Sequence, residues 1–173
     1  MPSKLMGTWQ LESWTARDEQ GTIEHPFGPS PTGLLVITAD GWLSVLLTAS
    51  DRPNFPTSSN PFGEPPEQSA AFVTCLSYAG RYRSDGDRLV TTVYVSSIPN
   101  WVGTEQIREV ELADDTLVLR PLPIAVPPGS IHTERHAAGG DEPEGEAGRA
   151  RRQMQAIAKA APLRNDLLWR RAR

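Results

Sequence analysis

Turn signals recur along this chain so often that a long helix has no room over most of it. Sixteen prolines and fourteen glycines punctuate 173 residues. The segments between them are short and alternate apolar with polar side chains, the period-2 pattern of half-buried strands. Asp40-Gly41 and Asp85-Gly86 each separate two such segments, and Asp114-Asp115 separates another pair. Glycine tolerates the positive φ of a tight primed turn, so Asp-Gly between apolar runs predicts a hairpin. On this reading strands cover residues 5–17, 34–38, 42–48, 77–84, 88–97, 105–112, 116–121 and 166–171. In the first of them Trp9, Leu11 and Ser13 share one side, while Trp14 falls on the other with Thr8, Gln10 and Glu12. Residues 67–76 have helical spacing through Ala70, Phe72, Val73 and Leu76, although Val73 and Thr74 also suit a strand.

Composition excludes several classes. At 38% hydrophobic and 22% charged, the chain is that of a globular protein large enough for one domain, residues 1–173. A net charge of −4 argues against a general nucleic-acid binder held by phosphate contacts. The single Cys75 permits no intrachain disulfide and no cysteine-based metal cluster, which favours a reducing, cytoplasmic setting. No apolar run approaches the ~20 residues of a membrane-spanning helix, so no membrane partner is expected. The N-terminus lacks the apolar stretch of a secretory signal, so the protein is expected to start near Met1.

Two stretches interrupt the strand pattern. Residues 51–66 hold five prolines and read as a long loop suited to a lid. Residues 122–165 change character: an acidic Pro/Gly-rich insertion is followed by an alanine-rich helix at 149–161, a second candidate lid. Charge is uneven as well. Residues 1–148 carry nine basic and twenty acidic side chains, and 149–173 carry eight and one. The basic C-terminal segment is thus attracted to the acidic remainder of its own chain or of another, which leaves a homodimer open.

About eight short strands joined mainly by hairpins imply an antiparallel barrel or sandwich, and composition does not choose between them. Specific residues do. Gly7-Thr8-Trp9, Pro31-Thr32-Gly33-Leu34, Asp40-Gly41-Trp42-Leu43-Ser44, Tyr78-Ala79-Gly80-Arg81-Tyr82, the passage from Ser97 through Pro99-Asn100-Trp101 to Arg108, and Leu168-Trp169-Arg170-Arg171 stand in that order. This ordered set resembles the small bacterial and fungal lipocalin-like domain family, over roughly residues 4–121 and 166–171. The resemblance implies an eight-stranded antiparallel barrel with one or two short helices. It also implies that Trp9 closes the barrel floor beneath a late arginine, for which Arg170 or Arg108 is available. Where the family commonly has a His-His pair, this chain has Thr91-Thr92, and Tyr94 stands at the following acidic position. Imidazole acid–base chemistry from that strand is therefore not expected.

Alternation within a barrel predicts an inner face. We expect Trp42 and Ser44, Tyr78 and Tyr82, Thr92 and Tyr94, and Arg108, with Trp101 from the corner, to line a mostly apolar cup that binds a ligand. The competing reading is a solid core. Arg108 carries two readings: it holds a ligand carboxylate or enolate, or it is the lock over Trp9. His25, His132 and His136 fall in loops and are read as solvent-exposed; His132 with Glu134 and His136 only mimics a metal cluster. Cys75 reads as an inert thiol. No metal site or cofactor is expected, because no phosphate-binding glycine loop, nucleophile elbow or zinc-binding helix motif occurs. The expected partner is a small hydrophobic metabolite. The resemblance implies a cofactor-independent cyclase or isomerase of secondary-metabolite, polyketide-like biosynthesis; the alternative is a non-catalytic binding or carrier protein. Catalytic residues are not identified.

Overall fold

In the computed structural model, which describes residues 2–56, 62–122 and 164–172, the alternating segments form nine strands. They are β1 (Gly7–Arg17), β2 (Ile23–Glu24), β3 (Thr32–Ile37), β4 (Trp42–Thr48), β5 (Cys75–Asp85), β6 (Arg88–Ser96), β7 (Glu105–Ala113), β8 (Thr116–Pro121) and β9 (Arg164–Arg171). Among the described residues two helices accompany them, α1 (Pro2–Leu5) and α2 (Pro65–Val73), and a 3-10 turn spans Pro99–Trp101. Neighbours from β3 to β9 pair antiparallel in chain order; β1 pairs with both β3 and β9, so eight strands close into a barrel. β2 is a two-residue flap on the end of β1. Closure removes the sheet edges and sends one face of every strand into a common interior.

The two ends of the barrel differ because the connections do. The β3–β4, β5–β6 and β7–β8 hairpins turn within a few residues at one end, where Gly7 of β1 also pairs with Ile37 of β3. All the longer connections emerge at the other end: β1 to β3, β4 to β5 through α2, β6 to β7 through the 3-10 turn, and β8 to β9. The expected helix in 67–76 is α2, which begins two residues earlier. It stops at Thr74, whose hydroxyl donates to the Ala70 carbonyl at 2.7 Å. The helix expected at 149–161 lies outside the described residues, as do most of the 122–165 insertion and residues 57–61 of the proline-rich loop.

Trp9 plugs the short-hairpin end. It is fully buried, its indole N–H donates to the Leu5 carbonyl at 2.9 Å, and the Arg171 guanidinium lies 4.2 Å from its ring centroid. Arg171 also donates to the Met6 and Lys4 carbonyls at 2.9 and 2.6 Å. Gly7 makes room for this arrangement: at φ +131° it holds a conformation that L side chains rarely adopt, and a Cβ there would meet Arg171 Nη1 at 2.8 Å. The floor arginine is thus Arg171, where Arg170 or Arg108 was expected. Arg170 points outward and is paired with Glu12.

The strand phases correct the sequence reading in three places. A bulge in β1 between Leu11 and Ser13 shifts the alternation by one, so Trp9, Leu11, Trp14 and Ala16 are all buried. In β4 the inward residues are Leu43, Val45 and Leu47, and Trp42, Ser44 and Leu46 face out. Both faces of that strand are apolar, so its own pattern does not decide the phase; pairing with buried Leu35 and Ile37 of β3 does. In β6 the inward residues are Leu89, Thr91 and Val93, and Thr92 and Tyr94 face out. Tyr94 is the extra residue of a bulge opposite Ala79 and Gly80, and a Cβ at Gly80 would come within 1.9 Å of the Thr92 carbonyl oxygen. Glycine is required there by close approach of two backbones.

Candidate ligand site

From the floor upward the interior is filled by the chain itself. Trp9, Leu11, Leu35, Ile37, Leu43, Val45, Leu89, Leu117, Leu119 and Trp169 pack into one buried cluster. Towards the end with the long connections the inward side chains change in kind. Leu76, Trp101, Arg108 and Val110 share that interior yet are only partly buried, and Leu76, Trp101 and Val110 pack against the edge of the cluster. Tyr82 and Leu112, on the side of the short hairpins, are partly buried as well.

Tyr78 stands at the centre of this region. It is inward on β5 and buried, its ring meets Trp101 edge-on at 5.7 Å, and Arg108 Cζ lies 6.0 Å from its centroid. β5 and β7 are separated by β6, so the Arg108 contact crosses the interior. Register places Thr91 of β6 between Tyr82 of β5 and Gln106 of β7, with Thr91 and Gln106 both buried. Arg108 donates from Nη2 to Gln106 Oε1 at 3.1 Å and from Nη1 to the Ile107 carbonyl at 3.0 Å. Gln106 Nε2 is buried without a hydrogen-bond partner. Near the rim, Trp14 donates its indole N–H to Asn165 Oδ1 at 3.0 Å and packs on Phe27 at 4.7 Å.

Of the eight residues expected to bind a ligand, Tyr78, Tyr82, Trp101 and Arg108 are brought to the interior. Tyr82 is committed to the fold, because its hydroxyl donates to the Thr38 carbonyl at 2.9 Å. Trp42, Ser44, Thr92 and Tyr94 lie on the outer face, which removes them from the cup. Trp42 there carries Arg81 over its ring at 4.5 Å and meets Tyr94 edge-on at 6.1 Å. Thr91, next to Thr92, and Gln106, two residues before Arg108 on the same face, were missed. A polar side chain inside an apolar alternation was the available signal for both.

The electrostatics of the two faces contrast. Outside, some arginines meet carboxylates, Arg83 with Glu105 at 2.6 Å, Arg120 with Glu111 and Asp166 at 2.7 Å each, and Arg170 with Glu12, while the exposed Arg17, Arg52 and Arg81 bond backbone carbonyls. The hydrogen bond from Arg83 holds the Glu105 carboxyl below its ordinary range, and the bond to Glu105 raises Arg83 in turn. Arg108 has no carboxylate partner among the described residues. No cluster of metal-ligating side chains occurs among those residues, and the 132–136 histidines lie outside them. His25 is exposed. No described helix is long and apolar enough to cross a membrane.

These features define an eight-stranded antiparallel barrel with a packed floor and a polar cluster set into an apolar interior, the architecture of the calycin-type barrels. The chain belongs to the lipocalin-like domain family, whose model matches residues 6–136. No curated protein sequence matches it. Among solved structures it is similar to an uncharacterized protein from Bacteroides eggerthii, at 14% identity and TM-score 0.39, covering 96% of this chain and 98% of that one. It is also similar to a mutant of the fluorescent protein UnaG, at 15% identity and TM-score 0.38, covering 100% of this chain and 99% of that one. Both likenesses are too distant to bear on function.

Proposed function

We propose that the barrel binds a small hydrophobic molecule in its lumen, entering at the end that carries the long connections. The reading is supported by Leu76 and Trp101, interior side chains beside the long connections that are only partly buried, together with the polar pair Arg108 and Gln106 set into the interior. A lumen lined by aliphatic and aromatic side chains with a few polar groups is the usual makeup of a small-molecule site. Filling it is the direct test. Val110→Trp should weaken binding of a neutral solvatochromic dye such as Nile red by at least about tenfold, since the added ring occupies the volume the ligand needs. Trp42→Ala, on the outer face, should leave binding unchanged. Equal loss in both variants, or loss in Trp42→Ala alone, places the dye on the outer surface and rejects the reading.

A second reading is conversion of the bound molecule, as a cofactor-independent cyclase or isomerase acting on a polyketide-like chain. The approach of Arg108 to the Tyr78 ring favours it, because it sets an interior guanidinium where it could stabilise charge developing on a carbonyl oxygen. The inward residues of the described strands include no histidine or carboxylate, so such a reaction would draw on confinement of a flexible chain more than on proton transfer. Product formation from a linear precursor, lost in Arg108→Met, separates this reading from simple binding.

A further inference from the structure

We infer that the ligand carries a carboxylate and that this group docks against Arg108 and Gln106. The inference rests on the lumen reading above and names the chemistry that the lumen selects.

Three observations carry it. First, Gln106 is only 1% exposed and its Nε2 has no partner. The orientation of its amide follows from chemistry: a guanidinium only donates, so the oxygen must face Arg108 Nη2, and the NH2 group is left with hydrogens that no described residue accepts. A buried amide left in that condition is costly unless something supplies an acceptor.

Second, Arg108 is itself underused. Its two hydrogen bonds go to neutral oxygens on its own strand, Gln106 Oε1 and the Ile107 carbonyl, out of five N–H donors. The other inward arginine, Arg171, is committed to the floor through two carbonyls and the Trp9 ring, so the locking role does not fall to Arg108.

Third, Arg108 carries a charge that is neither paired with a carboxylate of the described residues nor fully solvated. The outer arginines 83, 120, 164 and 170 each meet a carboxylate in a chain of net charge −4, whereas Arg108, placed among apolar side chains, meets none among the described residues. A partly buried cation and an adjacent unsatisfied amide present donors only, and a carboxylate, with two oxygens and acceptors alone, complements both at once. The rest of the ligand would lie along Tyr78, Trp101 and Leu76 towards the mouth.

The test compares two probes that share one chain, dodecanoate and dodecanol, each displacing Nile red from the full-length protein at pH 8. We expect dodecanoate to bind at least about tenfold more tightly, the size of effect that charge-assisted hydrogen bonds in a partly dry site give. Arg108→Met and Gln106→Leu should each bring the two affinities together by weakening dodecanoate while leaving dodecanol in place. The wild-type ratio is informative on its own, so the test survives a variant that fails to fold. Equal affinities in the wild type overturn the carboxylate assignment and leave lumen binding standing. A preference for dodecanoate that persists undiminished in Arg108→Met also overturns it. Failure of Nile red and both alcohol and acid to bind overturns this inference together with the lumen reading.

Discussion

Arg171 and Arg108 show how one residue type serves two purposes in the same interior. Arg171 is enclosed by backbone carbonyls and an indole face, contacts that the chain supplies itself. Truncating it to leucine removes two charge-assisted hydrogen bonds and a cation–π contact, so Arg171→Leu should lower stability by roughly 2–4 kcal/mol, read from urea unfolding. Arg108→Met should cost less, because relief of a partly desolvated charge with no counter-ion among the described residues offsets the lost hydrogen bond to Gln106 Oε1. If both substitutions destabilise equally, Arg108 is a structural element and the contrast drawn here fails. Trp9 was legible as an interior residue from the Gly7-Thr8-Trp9 motif and Tyr82 from its alternation with Tyr78, whereas alternation misplaced Trp42 and Tyr94, aromatic too, which lie outside. Which arginine covered Trp9 was not legible, since Arg170 and Arg171 are neighbours and only the pairing of Trp9 with Arg171 across β1 and β9 selects between them.

At the scale of the element, bulges and close approaches set what each strand presents. Gly80 sits where the Tyr94 bulge brings β6 onto β5, and Gly80→Ala forces a methyl against the Thr92 carbonyl. We expect a loss of about 1–3 kcal/mol, the usual cost of overpacking, measured by thermal or urea unfolding. The cross-strand pair on the outer face provides a pH-dependent counterpart. Arg83 contacts both Glu105 oxygens, at 2.6 and 3.2 Å, and this hydrogen bonding depresses the Glu105 carboxyl in the folded state. A depressed carboxyl stabilises the fold above its unfolded pKa, and that contribution is lost as pH falls through the folded pKa. The Tm difference between the wild type and Glu105→Gln should therefore be small and constant near neutrality and shrink below about pH 4. A difference that grows on acidification contradicts the assignment. The hairpins around Asp40-Gly41 and Asp85-Gly86 were readable locally because the turn chemistry is local; the β1 and β6 bulges were not, because a bulge is defined by the partner strand.

For the molecule as a whole, the proposed binding role rests on the asymmetry between the two ends. Short hairpins, α1 and the Trp9–Arg171 pair close one end, and the long connections surround the other. Ligand binding to such a lumen should stabilise the whole domain by mass action. Dodecanoate at about 100 times its Kd should add about 2.7 kcal/mol and raise Tm by roughly 5–10 °C, readable by scanning calorimetry. An unchanged Tm at saturating dodecanoate argues that the acid does not bind the folded barrel.

Eight of the nine strands, the hairpins and the antiparallel class follow from the sequence itself, because alternation and Asp-Gly turns act over a few residues; the short β2 and the closure of β1 on β9 do not. The ordered motifs were enough to point to the family. The inward face of β4 and β6 came only with the tertiary structure, as did the division of labour between Arg171 and Arg108 and the unpartnered amide of Gln106. A side chain's face is a relation between paired strands, and a missing hydrogen-bond partner is a property of everything around it. Neither is written in any one segment of the chain.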